Sequence, residues 1–258
     1  MNIEWEAGTY AEKFSFVPGY GEALLDLLDS PEDAPVVDLG CGNGALTAEI
    51  AEKGYEVIGV DASPAMLERA RERCPGARFV LADALEYSAH GAAGAVFSNA
   101  VFHWIDEKDQ GRLLANIADS LRPGGQLICE FGGRGNAETV YAALEKSFER
   151  RGLAFPRTFF FPDMLDYTRL LDGAGLVAAY AAIFPRRTKV TSVEDWIRMF
   201  VKAPFAGMAE GLKDEIIAEA QEACRPPLFD SEGWHVDYVR LRIKAVKRLE
   251  QPAEIPAP

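Results

Sequence analysis

The densest chemistry in this 258-residue chain lies in one loop, Asp38-Leu39-Gly40-Cys41-Gly42-Asn43-Gly44, between an apolar run and a helical pattern. Glycines at such a junction let a ligand approach the backbone closely at the carboxyl ends of strands. Gly40, Gly42 and Ala45 also satisfy the loose G-x-G-x-x-G/A spacing of a dinucleotide site, which points to a nicotinamide-dependent oxidoreductase.

Asp38 argues against that ligand. A carboxylate beside the glycine turn repels a pyrophosphate and favours a cation. S-adenosylmethionine carries an α-ammonium and a sulfonium and no phosphate, so it suits the loop better. The alternative for Asp38 is an ordinary turn carboxylate. Two further acids stand where a nucleoside needs them. Asp61 directly follows the second strand-like run, placed to accept both ribose hydroxyls. Asp83 follows the third and can accept from an adenine amino group, with the Ala84 N–H serving a ring nitrogen. Met66 packs either on the adenine face or in the core.

The elements that must position these residues follow an alternating pattern. Val36–Leu39, Val57–Val60, Arg78–Leu81, Ala95–Asn99 and Gln126–Phe131 read as strands, with amphipathic helical stretches between them. Such a series predicts an α/β fold, a doubly wound and mostly parallel sheet with helices on both faces. Leu176–Phe184 reads as a sixth strand. In Tyr238–Val246, Val239, Leu241 and Ile243 alternate with Arg240, Arg242 and Lys244, which predicts a last strand with one solvated face. Residues 186–236 between them are too many for a loop and are expected to form a small helical cap. The expected organisation is a helical segment over 1–34, a core of 35–185 and 237–250, the cap, and a tail over 251–258.

Composition narrows the partners. Forty acidic against 27 basic residues give a formal net charge of −13, which repels a nucleic-acid backbone. There is no long apolar stretch of a membrane span and no apolar export segment near residue 1, so a cytoplasmic protein is expected. Four scattered cysteines without a CxxC pair read as free thiols, and the three histidines lack metal-ligand spacing, so no metal is expected.

Taken with GVDAS, LADA, SNAVFHW and LRPGG, the DLGCGNG loop resembles the class I S-adenosylmethionine-dependent methyltransferases. SNAVFHW and the N-terminal WEAGTYAEKFSFV look most like the trans-aconitate methyltransferase-like branch. The resemblance implies a seven-stranded sheet of order 3-2-1-4-5-7-6 with strand 7 antiparallel, and methyl transfer to a small-molecule acceptor, a carboxylate or a hydroxyl. It places Gly40, Cys41 and Gly42 with Asp38 at the methionine end, and adds Ala62, Asn99 and Ala100 to the cofactor contacts. It puts Tyr10 and Phe14 on a segment over the cofactor; a helix on the sheet edge is the alternative. His103 and Trp104 then follow the transfer site. His103 is either a base toward the acceptor or a hydrogen-bonded support of the loop. Arg134 is either a clamp on a substrate carboxylate or a solvated loop arginine. Trp196, Phe200 and Trp234 line a substrate pocket or belong to the core. A non-catalytic S-adenosylmethionine-binding module has the same cofactor residues.

Overall fold

The computed structural model describes residues 21–31 and 33–249. Tyr10, Phe14, most of the 1–34 segment and the 251–258 tail lie outside the described residues. Four short strands are parallel: β1 (Val36–Leu39), β2 (Val57–Asp61), β3 (Arg78–Leu81) and β4 (Ala93–Asn99). β5 (Leu121–Gly132) joins β4 in parallel, its register shifting where Arg122-Pro123-Gly124-Gly125 breaks the alternation. β1 is buried at every position, as helices on both faces require.

Three of the helices begin where the sequence supplies a side-chain cap. Ser63 accepts from the Met66 N–H and Pro64 fills the first turn of α3 (Pro64–Arg73), after α1 (Glu22–Leu25) and α2 (Ala45–Glu52). Next come α4 (Gln110–Ser120), α5 (Glu138–Glu149) and α6 (Met164–Gly173), the last capped by Asp163. α7 (Val193–Phe200), capped by Ser192, and α8 (Glu210–Leu228) form the cap. They share a core with α5, in which Val140, Leu144 and Phe148 meet Trp196, Ile197, Ile216 and Cys224. The cap is therefore fixed to the main body by apolar burial.

Two long strands, β6 (Leu176–Lys189) and β8 (Gly233–Lys247), complete the sheet, with the two-residue β7 (Phe229–Asp230) pairing to the start of β8. The order is β3-β2-β1-β4-β5-β8-β6, and β8 runs antiparallel to both neighbours. With β8 as the seventh main strand, this is the order that the resemblance implies. The ladder between β6 and β8 extends from Leu176↔Lys247 to Lys189↔His235, so residues 186–189 and 233–236 are strand where helical cap was expected. Extending it satisfies backbone groups that burial of Thr188 and Val236 would otherwise strand.

The face of β8 expected to be solvated is not. Arg240 is buried and Arg242 half-buried, both bonded to Glu130 on β5. All four cysteines carry free thiols. Among the described residues, no helix is long and apolar enough to cross a membrane.

Candidate functional site

A cavity of about 350 Å³ opens at the carboxyl ends of β1, β2 and β4, where Leu39, Asp61 and Asn99 lie on its wall. Its floor is the glycine loop. Gly40 has φ +77°, and a Cβ there would lie 2.3 Å from Val101 Cγ2, so no larger residue fits. Gly42 has φ +54° with open space where a Cβ would be, and it too lines the cavity. Gly42→Ala should therefore cost about 1–2 kcal/mol through backbone conformation alone. Thermal unfolding should show a loss of a few degrees in Tm, and calorimetry a weaker cofactor complex.

Asp61 is held rigidly. Oδ2 accepts from the Gly42 N–H at 2.9 Å and Oδ1 from the Ser63 N–H at 2.8 Å. Burial pushes its carboxyl above the usual range, and those backbone bonds oppose the rise. Each oxygen retains a lone pair for a ligand. Asp83 is fixed by a turn in which its Oδ1 accepts from the Leu85 N–H at 2.9 Å. Asp83, Ala84, Ala62 and Met66 all stand on the same wall. Across from them, Asn99 Oδ1 is buried with no hydrogen-bond partner among the described residues. Ala100 has φ +62° and is clamped: its N–H donates to Glu130 O at 2.7 Å, and its O accepts from Trp104 Nε1 at 3.1 Å.

Four expected contacts stand elsewhere. Asp38 is buried behind the wall, where Thr47 Oγ1 donates to its Oδ2 at 2.6 Å, and burial pushes its carboxyl up to about 7. β1 is covered on both faces, so this side chain turns to α2 and not to the cavity. Cys41 is likewise buried, its Sγ close to the Gly59 position, and burial pushes its thiol up. Arg134 is an exposed side chain paired with Asp163 at 3.5 Å. Its N–H donates to Pro162 O, which turns the loop away from the cavity. Trp234 packs with Phe229 outside the cavity.

The far half of the cavity has a charged corner and an aromatic wall. Glu130, with its side chain fully buried, accepts from Arg186 Nη1 at 2.5 Å, Arg240 Nε at 3.3 Å and Arg242 Nε at 2.8 Å. Sheet register causes this: Glu130 pairs with Arg242 across β5 and β8, and Arg240 and Arg186 follow on the same face. Among the described residues, three guanidiniums meet this one carboxylate. Arg186 and Arg240 lie on the cavity wall. Sequence reasoning missed them. The available signal was Glu130 itself, an acid inside the apolar run Leu127-Ile128-Cys129-Glu130-Phe131, which requires buried cations.

His103 is buried on the same wall, and its Nδ1 accepts from the Gly132 N–H at 3.3 Å. Burial, and then the charge of Arg240, hold its pKa well below 6.5. The ring is therefore neutral with its proton on Nε2, a hydrogen-bond donor. Trp104, Trp196 and Phe200 are on the wall as well. So is Tyr141, whose buried hydroxyl has no partner among the described residues. A separate cluster of Asp230, Glu232 and His235 lies away from this cavity, with Arg187 bonded to Asp230 and within 3.1 Å of His235 Nδ1.

Comparisons with known proteins converge on one chemistry. Residues 36–125 match a methyltransferase-domain profile. An uncharacterized methyltransferase of Schizosaccharomyces pombe is 32% identical over 94% of this chain and 98% of its own length. A trans-aconitate 2-methyltransferase of Rhizobium leguminosarum is 30% identical over 84% of this chain and 88% of its own. The matches to the trans-aconitate 2-methyltransferases of Methylobacterium radiotolerans and Variovorax paradoxus span 39% and 50% of those proteins. Among solved structures, a phosphoethanolamine N-methyltransferase 2 of Haemonchus contortus, in complex with S-adenosylhomocysteine, has a TM-score of 0.58 at 17% identity. It covers 94% of this chain and 57% of that one. A geranyl diphosphate C-methyltransferase of Streptomyces coelicolor has a TM-score of 0.55 at 18% identity, covering 89% and 77%.

Proposed function

The chain belongs to the class I S-adenosylmethionine-dependent methyltransferases, most like their trans-aconitate methyltransferase-like branch, and we propose that it methylates a carboxylate oxygen of a small-molecule acceptor. The observation that carries the acceptor class is the positive corner made by Arg186 and Arg240 on the cavity wall. In a protein with a formal net charge of −13, cations collected in a mostly buried place answer to an anion. The nicotinamide reading of the glycine spacing is not favoured beside this family membership.

S-adenosylmethionine is the cofactor, and the residues on the near half of the cavity suit it. In our assignment Asp61 receives the ribose hydroxyls and Asp83 with Ala84 the adenine edge. Asn99 Oδ1, otherwise an orphaned acceptor, receives the α-ammonium. When bound, the cofactor would supply an electrophilic methyl on its sulfonium, and a carboxylate oxygen accepting that methyl would need no proton removed. The protein's part is alignment and exclusion of water. Arg186 and Arg240 hold the carboxylate, and His103 Nε2–H donates to it.

This role replaces a catalytic base at His103. His103→Asn should lower kcat by less than about tenfold, whereas removing a general base costs ~10²–10⁴-fold. Its stability signature has a definite sign. A histidine kept neutral by folding loses stability as pH falls below the unfolded value near 6.5, because the unfolded chain then takes up a proton that the native state refuses. The difference in Tm between parent and His103→Asn should therefore shift in favour of the variant as pH falls from 7.5 to 5.5. The test of the acceptor class is methyl transfer from radiolabelled S-adenosylmethionine to carboxylic acids, with alkaline release of the label as methanol. Alkali-stable label confined to amine or phenol acceptors refutes the carboxylate reading.

A further inference from the structure

We infer that Asn136 binds the acceptor, its side-chain NH₂ donating to a carboxylate oxygen, an inference that rests on the carboxylate reading above. Asn136 is buried at 5% exposure on the cavity wall, two residues beyond the outward-turned Arg134. The last printed pair of the β5–β8 ladder is Gly132↔Arg240. At the next position Gly133 N–H still donates to Val239 O at 3.0 Å, but Gly133 O accepts from the Asn136 N–H and is lost to β8. The Asn136 side chain takes its place, and Val239 N–H donates to its Oδ1 at 3.1 Å.

That bond settles which way the amide turns. A backbone N–H can only donate, so the atom meeting it is the amide oxygen, and the NH₂ is the other arm. With the oxygen committed to β8, the side chain offers a ligand a donor. The nearby His103 ring is polarised in the same way, because Gly132 N–H donates to its Nδ1 and leaves the proton on Nε2. A Cβ on Gly132 would lie 3.2 Å from Asn136 Cγ and 2.5 Å from Phe161 Cε1, so a glycine there lets the amide close on this strand end. Val239 itself stands between Tyr238 and Arg240 in β8, and both of those line the cavity. The amide thus belongs to the same half of the cavity as His103 and Arg240, with its polarity set by a backbone group that cannot reverse. An anion is the ligand that such a set of donors serves.

Asn136→Asp is the discriminating variant, because it keeps an oxygen for the Val239 N–H and replaces the donor by an acceptor. The full chain is assayed with radiolabelled S-adenosylmethionine and trans-aconitate, succinate or trans-cinnamate, read by alkaline methanol release, with S-adenosylhomocysteine titrated in parallel. For the acid with the highest kcat/KM, Asn136→Asp should raise KM by about tenfold or more, the loss of a charge-assisted hydrogen bond. kcat should stay within about threefold, because the carboxylate loses its charge as it takes the methyl and the contact is strongest before transfer. Asn136→Ala, which removes the donor without adding a charge, should raise KM by about fivefold or more. S-adenosylhomocysteine affinity within about threefold of the parent in both variants separates a lost acceptor contact from lost folding. A parent-like KM in Asn136→Asp leaves the residue only its bond to β8, and a parent-like KM in Asn136→Ala reduces the Asp effect to charge repulsion. Either result overturns this inference and leaves the carboxylate reading standing. Absence of label on every acid, in parent protein that binds S-adenosylhomocysteine, overturns both.

Discussion

Glu130→Gln should destabilise the protein by about 3–5 kcal/mol, the cost of removing one partner from a buried ion cluster. Glu130 has no side-chain exposure, and the guanidinium-bearing side chains around it are 14% (Arg186), 8% (Arg240) and 14% (Arg242) exposed. Burial alone would raise its carboxyl pKa. The bonds and charges of Arg186, Arg240 and Arg242 more than reverse this and hold it below the usual range. Its contribution is therefore present above the ordinary carboxyl value and is lost as pH falls through the depressed native one. A glutamine keeps the shape but removes the negative charge that three clustered cations share. Denaturant unfolding measures the loss, and adding Arg242→Leu should recover part of it by removing one of those cations. If Glu130→Gln unfolds at the same denaturant concentration as the parent, the cluster does not have the electrostatic balance argued here.

The same cluster shows what could be read from the sequence and what could not. The glycine loop, Asp61 and Asp83 are legible because strand ends and loops are local features, and each residue stands beside the element that positions it. Arg240 is not legible in this way. Its alternation with Leu241 and Val239 reads as a solvated strand face, and only the distant partner Glu130, brought beside it by the antiparallel ladder, reverses that reading. Arg134 stands apart from the cavity lining for the opposite reason. It has the right chemistry just after the fifth strand, but the turn through Gly133 and the pairing with Asp163 direct it outward. Asp38 sits in the right motif, but both faces of β1 are covered, so its carboxylate ends at Thr47. Motif position marked the glycine loop that lines the cavity, and sheet register decided which arginines stand on its wall.

Asp61→Ala should weaken S-adenosylhomocysteine binding at least tenfold, more than Asp38→Ala or Asp83→Ala. Two charge-assisted bonds to adjacent ribose hydroxyls are worth ~1.5–3 kcal/mol each, and water entering the truncated site returns only part of that. The loss extends to the loop, because the Gly42 and Ser63 N–H groups each lose their carboxylate acceptor. Among the described residues Asp83 accepts only from the Leu85 N–H, and Asp38 acts from behind the wall. The amide variant sharpens the test. An asparagine side chain has one acceptor oxygen and one NH₂, while backbone N–H groups at 2.9 and 2.8 Å address both carboxylate oxygens. Whichever way the amide turns, its NH₂ opposes a donor. Asp61→Asn should therefore recover little of the lost affinity, unlike an acid whose only partners are ligand hydroxyls. Isothermal titration with S-adenosylhomocysteine measures all four variants. Parent-like affinity in Asp61→Ala refutes the ribose assignment, and near-parent affinity in Asp61→Asn shows that the two backbone bonds do not set this carboxylate's orientation.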